Sequence, residues 1–434
     1  MKKKYVRWTL WTIASPFILF IILCILIYLP PIQNFLVDKA AVYASEATGM
    51  NISVGRISLS FPLNLVVTDV DAASPHKDTL LSVRRLQVNV QLLPLLKKQV
   101  EVDGISLQGA TVNSNDLIHG MRLNGTLGEL FISSHGVALD PETAIVNKVL
   151  LKDTDLSLCL NDTAAADTVA SDTTYWKIIL QDIDLQNVSF ALDMPLDSLS
   201  LAASLDNATL RDGLIDLHKS AYSLQTFRIE NGRVRYDSGK PLAADSLSSG
   251  LDPSHIALTD IGVKLDSLYY EGRNMKAIIS QFVLKERSGV EIVSTEGRLV
   301  SNDKVLRVPS LKLETRDSYL ELNAAMDWNA LDFKDEGLVS ARLMADIGKP
   351  DVVRFMGSMD EKFIRKYPSE PLRIRTGIDG DLNKLKLTTL TAELPGALEL
   401  FAKGELTSLT DSLLRGGDIT LQAETKDLKF ISTL

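Results

Sequence analysis

Leu86, Val88, Val90 and Leu92 alternate with Gln87, Asn89 and Gln91, so an extended backbone here presents one apolar and one polar face. The same two-residue period returns at Ile183 and Leu185, Leu199 to Leu205, Phe227 and Ile229, Val234 and Tyr236, and Ile261 to Leu265. It continues through Phe282 and Leu284, Val290 and Ile292, Leu311 and Leu313, Leu320 and Leu322, Leu372 and Ile374, Leu398 to Ala402, Ile419 and Leu421, and Leu428 and Phe430. Dipeptides that favour turns punctuate the chain: Asp103-Gly104, Asn124-Gly125, Asp212-Gly213, Asn231-Gly232, Ser238-Gly239, Ser288-Gly289 and Asp379-Gly380. A spacing of about ten residues per strand, with little helical period between, predicts a mainly β chain built as an antiparallel meander. A loose echo runs through it. Ile105-x-Leu107-x-Gly109-x-x-Val112 matches Ile183-x-Leu185-x-Asn187-x-x-Phe190 and Phe227-x-Ile229-x-Asn231-x-x-Val234. Each reads as two apolar positions on one face, a turn-tolerant residue, and the next strand.

Four stretches depart from this period. Residues 8–29 carry no charged side chain, follow Lys2, Lys3, Lys4 and Arg7, and end at Pro30-Pro31. As a helix they would be about 33 Å long, enough to cross a bilayer core of about 30 Å. Trp8, Trp11 and Tyr28 fall at its ends, where amphipathic rings favour the headgroup zone. The cations before the run place the N-terminus in the cytoplasm and the rest of the chain across the membrane. The run is longer than a signal-peptide core, no small-residue cleavage site follows promptly, and Leu23 precedes Cys24; an uncleaved anchor is therefore favoured over a signal peptide or a lipoprotein leader. Residues 32–48 space Ile32, Phe35, Leu36, Ala40, Tyr43 and Ala47 as one face of an amphipathic helix that Gly49 stops. Residues 161–174 are small and polar and read as an exposed loop. Val352, Met356, Met359, Phe363 and Tyr367 recur at helical spacing between Pro350 and Pro368 and predict a helix covering a sheet end, though Gly357 weakens it. The resulting division is a tip and anchor over 1–31, a β region over 32–160, the loop, and a continued β-sheet over 175–434. No closing element follows the last strand, which suggests the front portion of a longer protein.

Composition narrows the function. The net charge is −9, and more negative still beyond the four N-terminal cations, which disfavours nucleic acid or an anionic membrane surface as a partner. Of the two cysteines, Cys24 lies in the apolar run, so Cys159 has no disulfide partner beyond it and reads as a buried, inert thiol. His76, His119, His135, His218 and His255 are scattered without a second ligand at metal spacing, and phosphate-loop, dinucleotide and nucleophile-elbow motifs are absent from the sequence. Asp182, Asp184, Asp193 and Asp197 read as a solvated strand face rather than a catalytic carboxylate pair. No enzyme or cofactor is expected. The apolar set Leu86, Val88, Val90, Ile105, Leu107, Ile183 and Leu185 is the candidate lining of a groove for acyl chains, although the wall of an ordinary core would look the same.

The N-terminal third resembles AsmA-like proteins, including the TamB branch. The likeness rests on the anchor, the short helix ending at Thr48-Gly49, Ile52-Ser53-Val54-Gly55-Arg56-Ile57, and Phe61-Pro62-Leu63-Asn64-Leu65. Leu92-Leu93-Pro94-Leu95-Leu96, followed by Val100-x-Val102-x-Gly104-Ile105-x-Leu107-x-Gly109-Ala110-x-Val112, carries it furthest. It covers residues 5–112; the later strands agree only in general character. The resemblance implies an inner-membrane protein with an elongated, curled antiparallel β-sheet, taco-like in section, extending through the periplasm and carrying phospholipid toward the outer membrane. For the TamB branch it also implies protein assembly with an outer-membrane barrel partner, contacted through a C-terminal domain not found in these residues. Two further readings stay open: an assembly factor that pairs client strands with its sheet edges, and a passive envelope tether.

Overall fold

The computed structural model describes residues 39, 41–42, 45–46, 48–60, 64–74, 79–91, 102–114, 120–138, 142–161, 175–239, 250–334, 337–356 and 361–427. The apolar run over 8–29, with Trp8, Trp11 and Tyr28, lies outside them, as do Leu92 to Val100 and the loop after Asn161. Among the described residues no helix is long and apolar enough to cross a membrane. Those between 39 and 48 are helical, and Gly49 ends the helix with a φ of 70° while its N–H donates to Ser45 O. The chain divides into two units, Met1–Asp162 and Thr163–Leu434.

Unit one is a meander of β1 (Asn51–Ser60), β2 (Asn64–Ala73), β3 (Thr79–Val90), β4 (Val102–Asn113), β5 (Met121–Ala138) and β6 (Thr143–Leu160), each antiparallel to the next. Unit two opens with β7 (Lys177–Met194) and β8 (Leu199–Asp216). The short β9 (Ala221–Leu224) and β10 (Thr226–Ser238) then lie end to end between β8 and β11 (His255–Glu271), as one strand interrupted at Gln225. From β11 the meander is unbroken: β12 (Asn274–Glu286), β13 (Glu291–Ser301), β14 (Val305–Thr315), β15 (Tyr319–Asp327), β16 (Leu338–Ile347), β17 (Leu372–Asp381), β18 (Lys384–Leu394), β19 (Leu398–Thr407) and β20 (Gly416–Thr425). A large antiparallel sheet with a few short helices is thus the fold, as the two-residue period predicts.

The turn signals require correction. Asp103-Gly104, Asn124-Gly125, Asp212-Gly213, Asn231-Gly232 and Asp379-Gly380 all lie inside strands; only Ser238-Gly239 and Ser288-Gly289 fall at strand ends. β5, β6, β7 and β8 are accordingly 18 residues each, well beyond the expected spacing. The echo has the same explanation. Gly109, Asn187 and Asn231 have φ of 63°, 51° and 52° in the middle of β4, β7 and β10, so the turn-tolerant residue twists a continuous strand instead of ending it.

Asp69, Asp153, Asp212 and Asp260 do the same in β2, β6, β8 and β11, with φ between 49° and 54°. In these strands small or apolar residues stand at two and four positions before the left-handed residue and at one and three after it. In β2 these are Leu65, Val67, Val70 and Ala72; in β11 they are Ile256, Leu258, Ile261 and Val263. A residue in this conformation breaks the alternation of side chains, so the apolar set can stay on one face although its sequence phase slips, and in unit one the pairing keeps the same register on either side of it. Only Gly, Asn and Asp adopt this backbone routinely, because a Cβ otherwise crowds the following carbonyl. Asp153→Gly should therefore leave stability unchanged or raised, while Asp153→Val should cost about 1–2 kcal/mol in denaturant unfolding. Equal stability of the two variants would show that the left-handed backbone imposes no constraint there.

Candidate functional site

The register across unit one draws apolar residues into rows. Leu59, Leu65, Val88, Ile105, Ile132 and Val149 stand opposite one another from β1 to β6. Ile57, Val67, Leu86, Leu107, Leu130 and Leu151 form the adjacent row. Directly opposed residues of antiparallel strands share a face, so four of the seven candidate lining residues are brought side by side. Val90 stands opposite Val102, beyond a register shift. In unit two, Ile183 is aligned with Leu210, Phe227 and Leu265, and Leu185 with Ala208, Ile229, Val263 and Phe282. A further row there joins Leu313, Leu320, Ala345, Ile374, Ala392 and Leu400.

Burial separates these rows from an ordinary core. All seven candidates are only half-buried, and so is every residue of the two long rows of unit one. Large aliphatics between two packed layers would be fully covered, because protein interiors are close-packed. Among the described residues Leu80 and Val83 of β3 are the large aliphatics buried in unit one, and a packed cluster of fully covered large side chains is found at one end of the unit-two sheet. There α2 (Lys349–Met356) and α3 (Glu361–Lys366) follow α1 (Trp328–Leu331) in the chain. Phe363 and Tyr367, 2% and 6% exposed, pack with Leu394 and Ala397. Val352, Ile364, Leu372 and Leu398 close around them, and burial raises the Tyr367 pKa. Helical structure on both sides of residues 357–360 thus covers the ends of β17 to β19, the role its spacing predicts; Gly357 lies outside the described residues.

Polar side chains are engaged in holding the sheet. Asp182 and Asp184 both pair with Arg211, at 3.1 and 2.7 Å, and Asp193 accepts from Ser200 at 2.8 Å. Asp351, 1% exposed, accepts from Thr315 Oγ1, from Ser318 Oγ at 2.6 Å and from Arg354 at 3.0 Å, locking α2 to the β14–β15 turn. Burial opposes the charge of Arg354, but Asp317 and Asp351 outweigh it and raise its pKa. Burial likewise opposes the charge of Glu286, yet hydrogen bonds from Ser288, Ala257 and Arg287 hold its carboxyl below the usual glutamate value. Cys159 is half-buried, not buried as its segment suggests; its thiol donates to Asn161 Oδ1 at 3.3 Å. Among the described residues no group of three or more His, Cys, Asp or Glu could hold a metal ion. A cleft of about 400 Å³ between β18, β19 and β20 is of mixed polarity, with Glu393, Glu399 and Glu424 beside Leu400 and Phe401.

No family model matches the chain, and no curated protein matches it.

Proposed function

We propose that this is an AsmA/TamB-like protein of the bacterial envelope, anchored in the inner membrane by residues 8–29, whose apolar sheet faces line a curled groove that carries phospholipid acyl chains toward the outer membrane. The observation that supports it most is the pair of aliphatic rows crossing six strands of unit one while staying half-buried. Such rows leave apolar surface for a foreign chain to cover. Burying an acyl tail of about 16 carbons recovers on the order of 12 kcal/mol against water, and a lining without polar interruptions keeps that gain level along its length. Headgroups would stay in water at the groove's mouth.

The alternative, strand-by-strand pairing with client proteins, draws on β20. All ten of its residues are exposed, and among the described residues it pairs only with β19. The two readings separate on photo-crosslinking in cells with a benzophenone amino acid at Val88 and, one residue away on the polar alternation, at Gln87. Lipid adducts at Val88 but not at Gln87 are expected. Adducts to protein alone at Val88 would turn the reading toward assembly.

A further inference from the structure

Ile347 pairs directly with Leu372, so a tight turn could join β16 to β17, as Leu382 and Asn383 join β17 to β18. Residues 348–371 intervene instead and carry α2 and α3. Register shows which face of the sheet these helices cover. Ile374, Ala392 and Leu400 stand in one apolar row, and Leu372, Leu394 and Leu398 lie two residues further along the same three strands, hence on the same face. Phe363 and Tyr367 pack with Leu394 and Ala397, and Leu372 and Leu398 close against them. The opposite face of these strand ends belongs to Arg373, Glu393 and Glu399, whose side chains are 46%, 45% and 51% exposed. The helices therefore lie on the apolar face.

Polar groups fasten that cover. Asp351 accepts from Thr315 Oγ1 and from Ser318 Oγ at 2.6 Å, and Thr315 stands two residues beyond Leu313 on the same apolar face of β14. Arg354 reaches Asp317 at 2.8 Å, and its carbonyl accepts from Leu251 N–H at 2.7 Å. Lys349 Nζ donates to Tyr367 O at 2.7 Å, tying the start of α2 to the residue after α3. The long rows of unit one hold together while half-buried, so cover of this kind is not a condition of the sheet. What the two rings supply is the contact an acyl chain would make, carbon laid on Leu372, Leu394 and Leu398 with water excluded.

We propose that α2 and α3 form an autoinhibitory plug, in which Phe363 and Tyr367 hold the apolar face at the ends of β17 to β19 in place of an acyl chain until the Asp351 latch is released. This rests on the groove reading given above. The test places an aliphatic diazirine amino acid, close to leucine in size, at Leu398 or at Val88 of the full chain in cells. With the plug seated, lipid adducts should form at Val88 and be about tenfold scarcer at Leu398. Asp351→Ala, which frees the latch, and Phe363→Ala, which shortens the plug, should each raise lipid adducts at Leu398 about tenfold and leave those at Val88 unchanged. Hydrogen exchange on the same variants should show β17 to β19 still protected. Equal lipid yield at Leu398 and Val88 in the wild type would overturn the plug. So would no gain at Leu398 in either variant, or loss of protection across β17 to β19, since the helices would then be a structural end of the sheet. Absence of lipid adducts at Val88 would instead remove the groove reading, and the plug with it.

Discussion

Gly125→Ala should destabilise unit one by about 3 kcal/mol or more, because a Cβ at this position would sit 2.1 Å from Asp155 O and 2.9 Å from Leu156 Cα on β6. Both are backbone atoms of the paired strand, so no side chain can swing aside. The strands would have to part within their pairing, where Gly125 stands opposite Leu156. Asn124-Gly125 looks like a hairpin turn in the sequence, and in a turn open to solvent the same change would cost about 1 kcal/mol. Denaturant unfolding, or hydrogen exchange along β5 and β6, distinguishes the two. A loss below about 1 kcal/mol would contradict the strand placement.

Asp351→Ala should cost about 3 kcal/mol. The substitution removes the shared acceptor of Thr315, Ser318 and Arg354 and leaves a guanidinium only 26% exposed with Asp317 as its remaining carboxylate. Asp351→Asn keeps an oxygen for the hydroxyls but loses the charge, and should cost less, about 1–2 kcal/mol. The damage should be local. Exchange protection should fall first in α2 and at the β14–β15 turn, and in the cluster of Phe363 and Tyr367 beyond it. Uniform loss across unit two would mean that the tie supports more than the sheet end.

The alternation at Leu86, Val88 and Val90, or at Leu320 and Leu322, makes antiparallel strands legible in the sequence because a half-covered face demands period two. Strand length is not legible in the same way. Asp and Asn with glycine have the chemistry of a turn, and the backbone at Asp212 or Asn231 does adopt a turn-like conformation; what keeps the strand going is pairing with its neighbours, which residue types do not reveal. The phase slip itself is visible: Val54 and Ile57, Val67 and Val70, Val83 and Leu86, and Leu107 and Ala110 are apolar pairs three apart, in four successive strands. Of the candidate lining, Leu86, Val88, Ile105 and Leu107 could be grouped from spacing, but their half-burial could not, because a wet wall and a dry one use the same side chains. The Asp351 tie joins residues more than thirty positions apart and had no local signal.

The left-handed residues of unit one, Asp69, Gly109 and Asp153, fall in line with residues 55, 84 and 128 of the strands beside them, so the phase slips of the apolar pattern align from β1 to β6. This alignment restricts how such a chain can change length in evolution. Losing one residue inside any of these strands would leave it a step out of phase with both neighbours and turn part of its apolar set toward water. Copying a whole hairpin, with its slip in place, preserves the match on either side. Growth by duplication in units of two strands is therefore open to this protein, while single-residue insertions and deletions are confined to its turns.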